Sequence, residues 1–217
     1  MNVAFFGYRA WALEIKENLL RVKSPNWQFT DIEDAHVLLY YGWSEIIPKE
    51  VYSKHLCLIL HPSPLPKYRG GSPLQHQIMA GQKASAVTIL KVGEKLDGGD
   101  IYSQTPFSLE GTLDEIFKRI VEIGTADTIK VLDMIEEDII EPDRQDEVQA
   151  TMFKRRKPEQ SELTFEDLKN KTSKELYNFI RSLASPYPNA YIVCKDGKKL
   201  YFTGARLESP QELKAIS

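Results

Sequence analysis

The stretch HPSPLPKYRGGSPLQHQIMAG, residues 61–81, decides how this chain folds. It follows the apolar run Leu56–Leu60, which reads as a buried strand bounded by turn residues. His61 therefore emerges at a strand's end, where open α/β sheets carry their ligand chemistry. Pro62, Pro64 and Pro66 each fix their own φ and restrain the residue before, so the loop is extended and stiff. Ser72 is expected to cap a short helix, with Pro73 at its first position, Gln75 closing a capping box and Gly81 ending it. Ala86–Val92 is partly alternating and β-branched and reads as the next strand, closed by the acidic turn Leu96-Asp97-Gly98-Gly99-Asp100. His61 and Asp97 thus end two strands expected to be neighbours.

Upstream, Asn2–Phe6 and Ala35–Tyr41 read as further buried strands, and Trp27–Phe29 as a short one. Trp11, Ile15, Leu19 and Val22 recur at helical spacing, which packs one helix face on the sheet. Gly7 is a lone glycine with no G-x-G-x-x-G after it, so a dinucleotide site is unsupported. Pro48 opens a short helix to about Lys54. Downstream, Ile101–Phe107 is a strand, and Thr112 with Glu115 forms a capping box for a helix running to about Glu137, striped by Ile116, Ile120 and Ile123. Gly124 in that helix permits a close contact, and the acidic cluster Glu136, Glu137, Asp138 covers a solvated face.

The pattern then changes character. A polar connector begins at Arg155-Arg156-Lys157, and Thr172 with Glu175 starts a helix whose stripe is Leu176, Phe179, Ile180 and Leu183. Pro186-Tyr187-Pro188 breaks it, and Ala190–Cys194 pairs with Leu200–Thr203 across Asp196-Gly197 as a hairpin. The expected architecture is an open, mostly parallel α/β sheet over residues 1–157, followed by a connector and a small helix-plus-hairpin appendage over 158–217.

Composition narrows the function classes. A chain of 217 residues holds one main core and a small appendage, and 42% hydrophobic with 27% charged residues is that of a soluble globular protein. A net charge of −3, with no basic run beyond Lys154–Lys157, disfavours nucleic acid as the principal partner. Cys57 and Cys194 are too few and too far apart for a disulfide framework or a zinc site. The chain enters a strand without a signal core, and no apolar run approaches bilayer length, so no membrane role and a cytoplasmic location are expected.

Taken singly, His61 reads as a satisfied histidine and Asp97 as the first residue of a glycine turn. A serine hydrolase built on Ser63, His61 and Asp97 lacks a G-x-S-x-G elbow. A metal site from His61, His76 and Asp97 lacks a helical histidine pair, and no metal is expected.

Together, the 36-residue spacing from His61 to Asp97, the run S-x-L-P-x-Y-R-G-x-x-P (Ser63 to Pro73) and the turn L-D-x-G-D (Leu96 to Asp100) resemble the folate-dependent formyltransferases. The elements R-R-x-P-E from Arg155 and I-R-x-x-x-x-P-Y-P-x-A from Ile180 are similar to the nucleotide-sugar and methionyl-tRNA branches. The resemblance implies a Rossmann-like sheet, shortened between the first helix and the Ala35 strand, and 10-formyltetrahydrofolate as formyl donor. His61 and Asp97 would handle the proton. Tyr41, Gly42, Trp43 and Ile47 would line the folate pocket, joined by Leu65, Arg69 and Asp100, while Ser63, Leu65 and Arg69 shape the loop. The family places asparagine two residues before the histidine to steady the oxyanion; here Ile59 stands there. Short length after the connector and slight acidity point away from the transfer-RNA branch, and GYRAWA is not the phosphate loop of the glycinamide ribonucleotide branch. The implied acceptor is the primary amine of a nucleotide-linked amino sugar, with room left for a homodimer. Two alternatives stay open: a formyltransferase for another small amine, and an impaired member that binds folate or sugar.

Overall fold

The computed structural model describes residues 1–22 and 24–208. The chain runs β1 (Asn2–Phe6), α1 (Ala10–Arg21), β2 (Gln28–Phe29), β3 (Val37–Tyr41), α2 (Lys49–Tyr52) and β4 (Leu56–His61). It continues with β5 (Arg69–Gly70), α3 (Pro73–Met79), β6 (Ala84–Lys91), β7 (Ile101–Ser108) and the long α4 (Leu113–Glu136). Last come β8 (Met152–Phe153), α5 (Phe165–Asn170), α6 (Ser173–Ser182) and the hairpin β9 (Ala190–Val193) and β10 (Lys199–Phe202).

The main sheet has the order β2-β1-β3-β4-β6-β7. Its first three pairings are parallel, and β4–β6 and β6–β7 are antiparallel. Period-two alternation sorts its side chains between two unequal faces. Val37, Leu39, Tyr41, Leu58 and Leu60 lie under α1 and α4 in the main core, joined by Ile15, Leu19, Ile116 and Ile120. Gly124 lets α4 settle there, since a Cβ would stand 2.8 Å from Leu60 Cδ1 and 2.9 Å from Ile15 Cδ1. Ala4, Leu38, Tyr40 and Cys57 face the other way and form a smaller cluster with Ile47, Trp43 and Ile59. That thinner cover leaves room for a cleft.

Helix α4 begins with the predicted Thr112–Glu115 capping box, and α6 with that of Thr172 and Glu175. The box predicted at α3 does not form. Ser72 takes a left-handed conformation (φ 54°), and its hydroxyl instead accepts the Arg156 N–H at 3.1 Å, while Gln75 is buried without a side-chain partner. Gly81 follows α3 with φ +75°, as a helix stop requires. Between α1 and β3 the chain supplies only the two-residue β2 and one short 3₁₀ turn, Ile32–Asp34.

The C-terminal helix packs on α3, in a cluster of Leu163, Leu183 and Ala190 with Met79 and Phe179. Arg181 anchors it by donating to the Leu109 and Gly111 carbonyls at 2.7 and 3.0 Å. Residues 209–217 of the expected C-terminal unit lie outside the described residues. Among the described residues no helix is long and apolar enough to cross a membrane, and no three His, Cys, Asp or Glu side chains group as metal ligands.

Candidate active site

A cleft of about 1010 Å³ opens beside β4. His61, the last residue of β4, and Asp97, in the loop after β6, both line it and are only 7% and 8% exposed. Because β6 runs antiparallel to β4, with His61 opposite Thr88, the 92–100 loop has to fold back to bring Asp97 to the histidine. Asp97 Oδ2 lies 3.6 Å from His61 Nδ1 and accepts the Gly70 N–H at 2.7 Å. His61 Nε2 donates to the Tyr68 carbonyl at 2.9 Å. A carbonyl accepts only from a ring N–H, so this bond fixes the tautomer of the neutral ring and leaves Nδ1 to take a proton.

The loop that carries this arrangement is rigid because its backbone groups are answered from several directions. The Pro62, Ser63 and Leu65 carbonyls accept from Gln77 Nε2 at 2.9 Å, Thr88 Oγ1 at 2.7 Å and Gln104 Nε2 at 3.0 Å. Ser63 is fully buried with its hydroxyl donating to the Lys67 carbonyl, so it holds the turn and presents no nucleophile. Tyr68 and Asp97, at φ 61° and 51°, both occupy the left-handed region. Non-glycine residues persist there only when their surroundings over-determine them.

The surrounding contacts come from residues 143–156, a segment without periodicity in the sequence. Thr151 Oγ1 accepts the Tyr68 N–H at 2.8 Å, and β8 pairs in parallel with β5. Gly70 is required for that pairing: its φ is +93° and a Cβ would stand 2.2 Å from the Phe153 carbonyl oxygen. Gln145 reaches the Asp97 loop, donating to the Asp97 and Gly99 carbonyls at 2.9 and 2.7 Å. Polar residues in a connector carry no pattern that announces such roles.

Gly42, Trp43 and Ile47 line the cleft together with His61 and Asp97, as does Ile59. Four other residues expected at a folate pocket lie elsewhere. Tyr41 points to the opposite face of β3, wholly buried, its hydroxyl 2.9 Å from Thr128 Oγ1, and burial raises its phenol pKa. Leu65 lines a separate hollow with Pro64, Pro66 and Gln77. Arg69 is 4% exposed and spends its guanidinium on Gln145 and Glu147. Asp100 begins the return to β7, its carbonyl accepting the Lys91 N–H at 2.9 Å.

Two further parts of the wall have distinct chemistry. Trp43, Tyr40, Ile47, Ile59 and Val92 make an apolar surface, with the Trp43 and Tyr40 rings 5.6 Å apart. Elsewhere Lys154, Arg155 and Arg156 stand on the lining with Tyr187, whose ring packs on Phe117. The first suits a flat heteroaromatic ring and the second suits phosphate beside a base.

The fold and this cleft define an open α/β protein with a histidine–carboxylate pair at the end of a central strand. The formyl transferase family model matches residues 22–132, and the chain belongs to that family. The methionyl-tRNA formyltransferase of Bacillus cytotoxicus is 36% identical over 162 residues, which are 73% of this chain and 50% of that protein. The chain thus spans about half the length of the curated relatives it matches. The solved methionyl-tRNA formyltransferase from Clostridium thermocellum superposes with a TM-score of 0.77 at 29% identity, covering 93% of this chain and 97% of that one. A sugar N-formyltransferase from Shewanella sp shares the fold at 17% identity, with a TM-score of 0.76 over 96% of this chain and 99% of that one. The family uses formyl-tetrahydrofolate as its donor.

Proposed function

We propose that this protein transfers a formyl group from 10-formyltetrahydrofolate to the primary amine of a nucleotide-linked amino sugar. The observation that carries this reading is the buried His61–Asp97 pair in a cleft that offers both an apolar wall at Trp43 and a cationic wall at Lys154–Arg156. The apolar wall fits the pterin of the donor, and when bound the donor supplies a formyl group on a nitrogen that can leave. A neutral amine loses a proton as it attacks, and His61 Nδ1 is the ring nitrogen free to collect it. Asp97 Oδ2, at 3.6 Å, faces the imidazolium that results and holds it by unlike charge. Burial of both groups keeps bulk water from competing.

The cationic wall supports a phosphorylated acceptor, and Tyr187 beside it supports a base. The chain's net charge of −3 confines positive potential to the cleft, which suits a small anion better than a long polyanion. A second reading, transfer to methionyl-tRNA, draws on the sequence relatives at 30–36% identity. Incubating the purified protein with 10-formyltetrahydrofolate and either a panel of nucleotide-linked amino sugars or methionyl-tRNA separates the two. Mass spectrometry should find the formyl group on a sugar amine. Formyl-methionyl-tRNA alone would replace the sugar reading, and folate binding by calorimetry without transfer to any amine would mark a binding protein.

A further inference from the structure

The Gln145 amide lies between two groups that the active site depends on. Its Nε2 donates to the Asp97 and Gly99 carbonyls at 2.9 and 2.7 Å, and its Oε1 accepts from Arg69 Nε and Nη2 at 3.1 and 2.8 Å. Carbonyls on one side and a guanidinium on the other leave only one amide orientation. Arg69 immediately precedes Gly70, whose N–H binds Asp97 Oδ2. One side chain therefore holds the backbone of Asp97 and also the loop that aims its carboxylate. Gln145 is itself rooted in the main sheet, because Asp143 and Ile101 exchange backbone bonds of 2.8 and 2.9 Å. Asp97 needs such support, since its left-handed backbone would relax once its carbonyl were released.

We infer that Gln145 is a positioning residue that keeps the Asp97 carboxylate on His61 Nδ1. This rests on the reading above of His61 and Asp97 as the proton-handling pair. It makes the connector after α4 part of the active-site framework, although it supplies no group that touches substrate.

Gln145→Glu tests this, because it keeps an acceptor for Arg69 and removes both donors to the Asp97 loop. The expected result is a kcat lower by about ten- to a hundredfold with the folate KM within about twofold, the loss that a misplacement near 1 Å produces. The melting temperature controls for folding, and Gln145→Met, similar in length and lacking both bonds, serves if the glutamate variant does not fold. A readout independent of activity is the pair of ¹⁵N shifts of the His61 ring, assigned against His61→Gln. They should change in the Gln145 variant as the carboxylate leaves Nδ1. Unchanged ring shifts in a folded variant overturn the inference whatever the rate, and so does a loss confined to KM. If wild-type protein formylates no amine, the functional reading fails while the ring shifts still decide the role of Gln145.

Discussion

Ile59 and His61 stand two residues apart on one face of β4, and both open into the cleft, with Ile59 paired to Tyr40 on one side and Leu90 on the other. The site thus has its histidine and carboxylate but a hydrocarbon where a resembling sequence would place an amide. Ile59 is partly exposed, so Ile59→Asn sets the amide at the cleft surface and loses only part of a side chain's packing, about 1 kcal/mol of stability. If the oxyanion forms beside His61, the variant should raise kcat, by up to about a hundredfold. A folded variant no faster than wild type would show that another group already stabilises that charge.

Asp97→Asn should fold normally and lose most turnover. The amide oxygen can still accept the Gly70 N–H, which leaves its NH₂ turned to His61 Nδ1. Donation to Nδ1 occupies the site where the proton must go, and the negative charge that holds the imidazolium is gone. A fall in kcat of at least about a hundredfold is expected, with folate affinity by calorimetry unchanged. Wild-type steady-state rates would refute the role of the carboxylate.

Tyr41→Phe should leave folate affinity and kcat within about twofold of wild type, because Tyr41 lies under α4 and not on the cleft. Its hydroxyl is buried against Thr128 Oγ1, which also donates to the Gly124 carbonyl at 2.5 Å. Losing that partner costs about 1 kcal/mol, read as a lower urea midpoint. A large change in folate affinity at unchanged stability would return Tyr41 to the pocket.

The two cysteines should separate in thiol labelling. Cys57 is wholly buried on β4, and burial pushes its thiol pKa up to about 11, so at pH 8 it stays protonated and shielded. Cys194 is partly exposed. An aromatic disulfide reagent should react with one thiol per chain in the native state and with the second only on unfolding. Rapid reaction of both would mean that the sheet opens at β4 on the labelling timescale.

Glu147 accepts from Arg69 at 3.0 Å and from Lys95 at 3.2 Å, and these bonds hold its carboxyl pKa below the ordinary 4.5. A lowered folded-state value stabilises the fold above the unfolded value and loses that contribution as pH falls through the folded one. Melting curves of Glu147→Gln should therefore fall below wild type at pH 7 and converge with it at pH 3. Curves that stay parallel would show that the carboxylate's charge adds nothing.

The sequence by itself determined the elements whose cause is local. Apolar runs gave β1, β3, β4 and β6; the Thr112–Glu115 and Thr172–Glu175 pairs marked two helix starts; and the spacing of His61, the proline loop and the L-D-x-G-D turn identified the family. These signals are periodicities and short-range bonds, written within a few residues of where they act. Tertiary structure decided which way the identified residues face. Tyr41 and Gly42 are adjacent, yet the strand's alternation puts the Tyr41 side chain in the core and the turn beyond it on the cleft. Ser72 has the spacing of a cap, but the neighbouring Arg156 N–H claims its hydroxyl. Arg69 is drawn from the pocket by Gln145 and Glu147, 76 and 78 residues away, and Gln145 gains its place by the same bonds. Bonds between such distant polar side chains leave no period in a sequence, because each residue's partner exists only once the sheet has brought the two segments together.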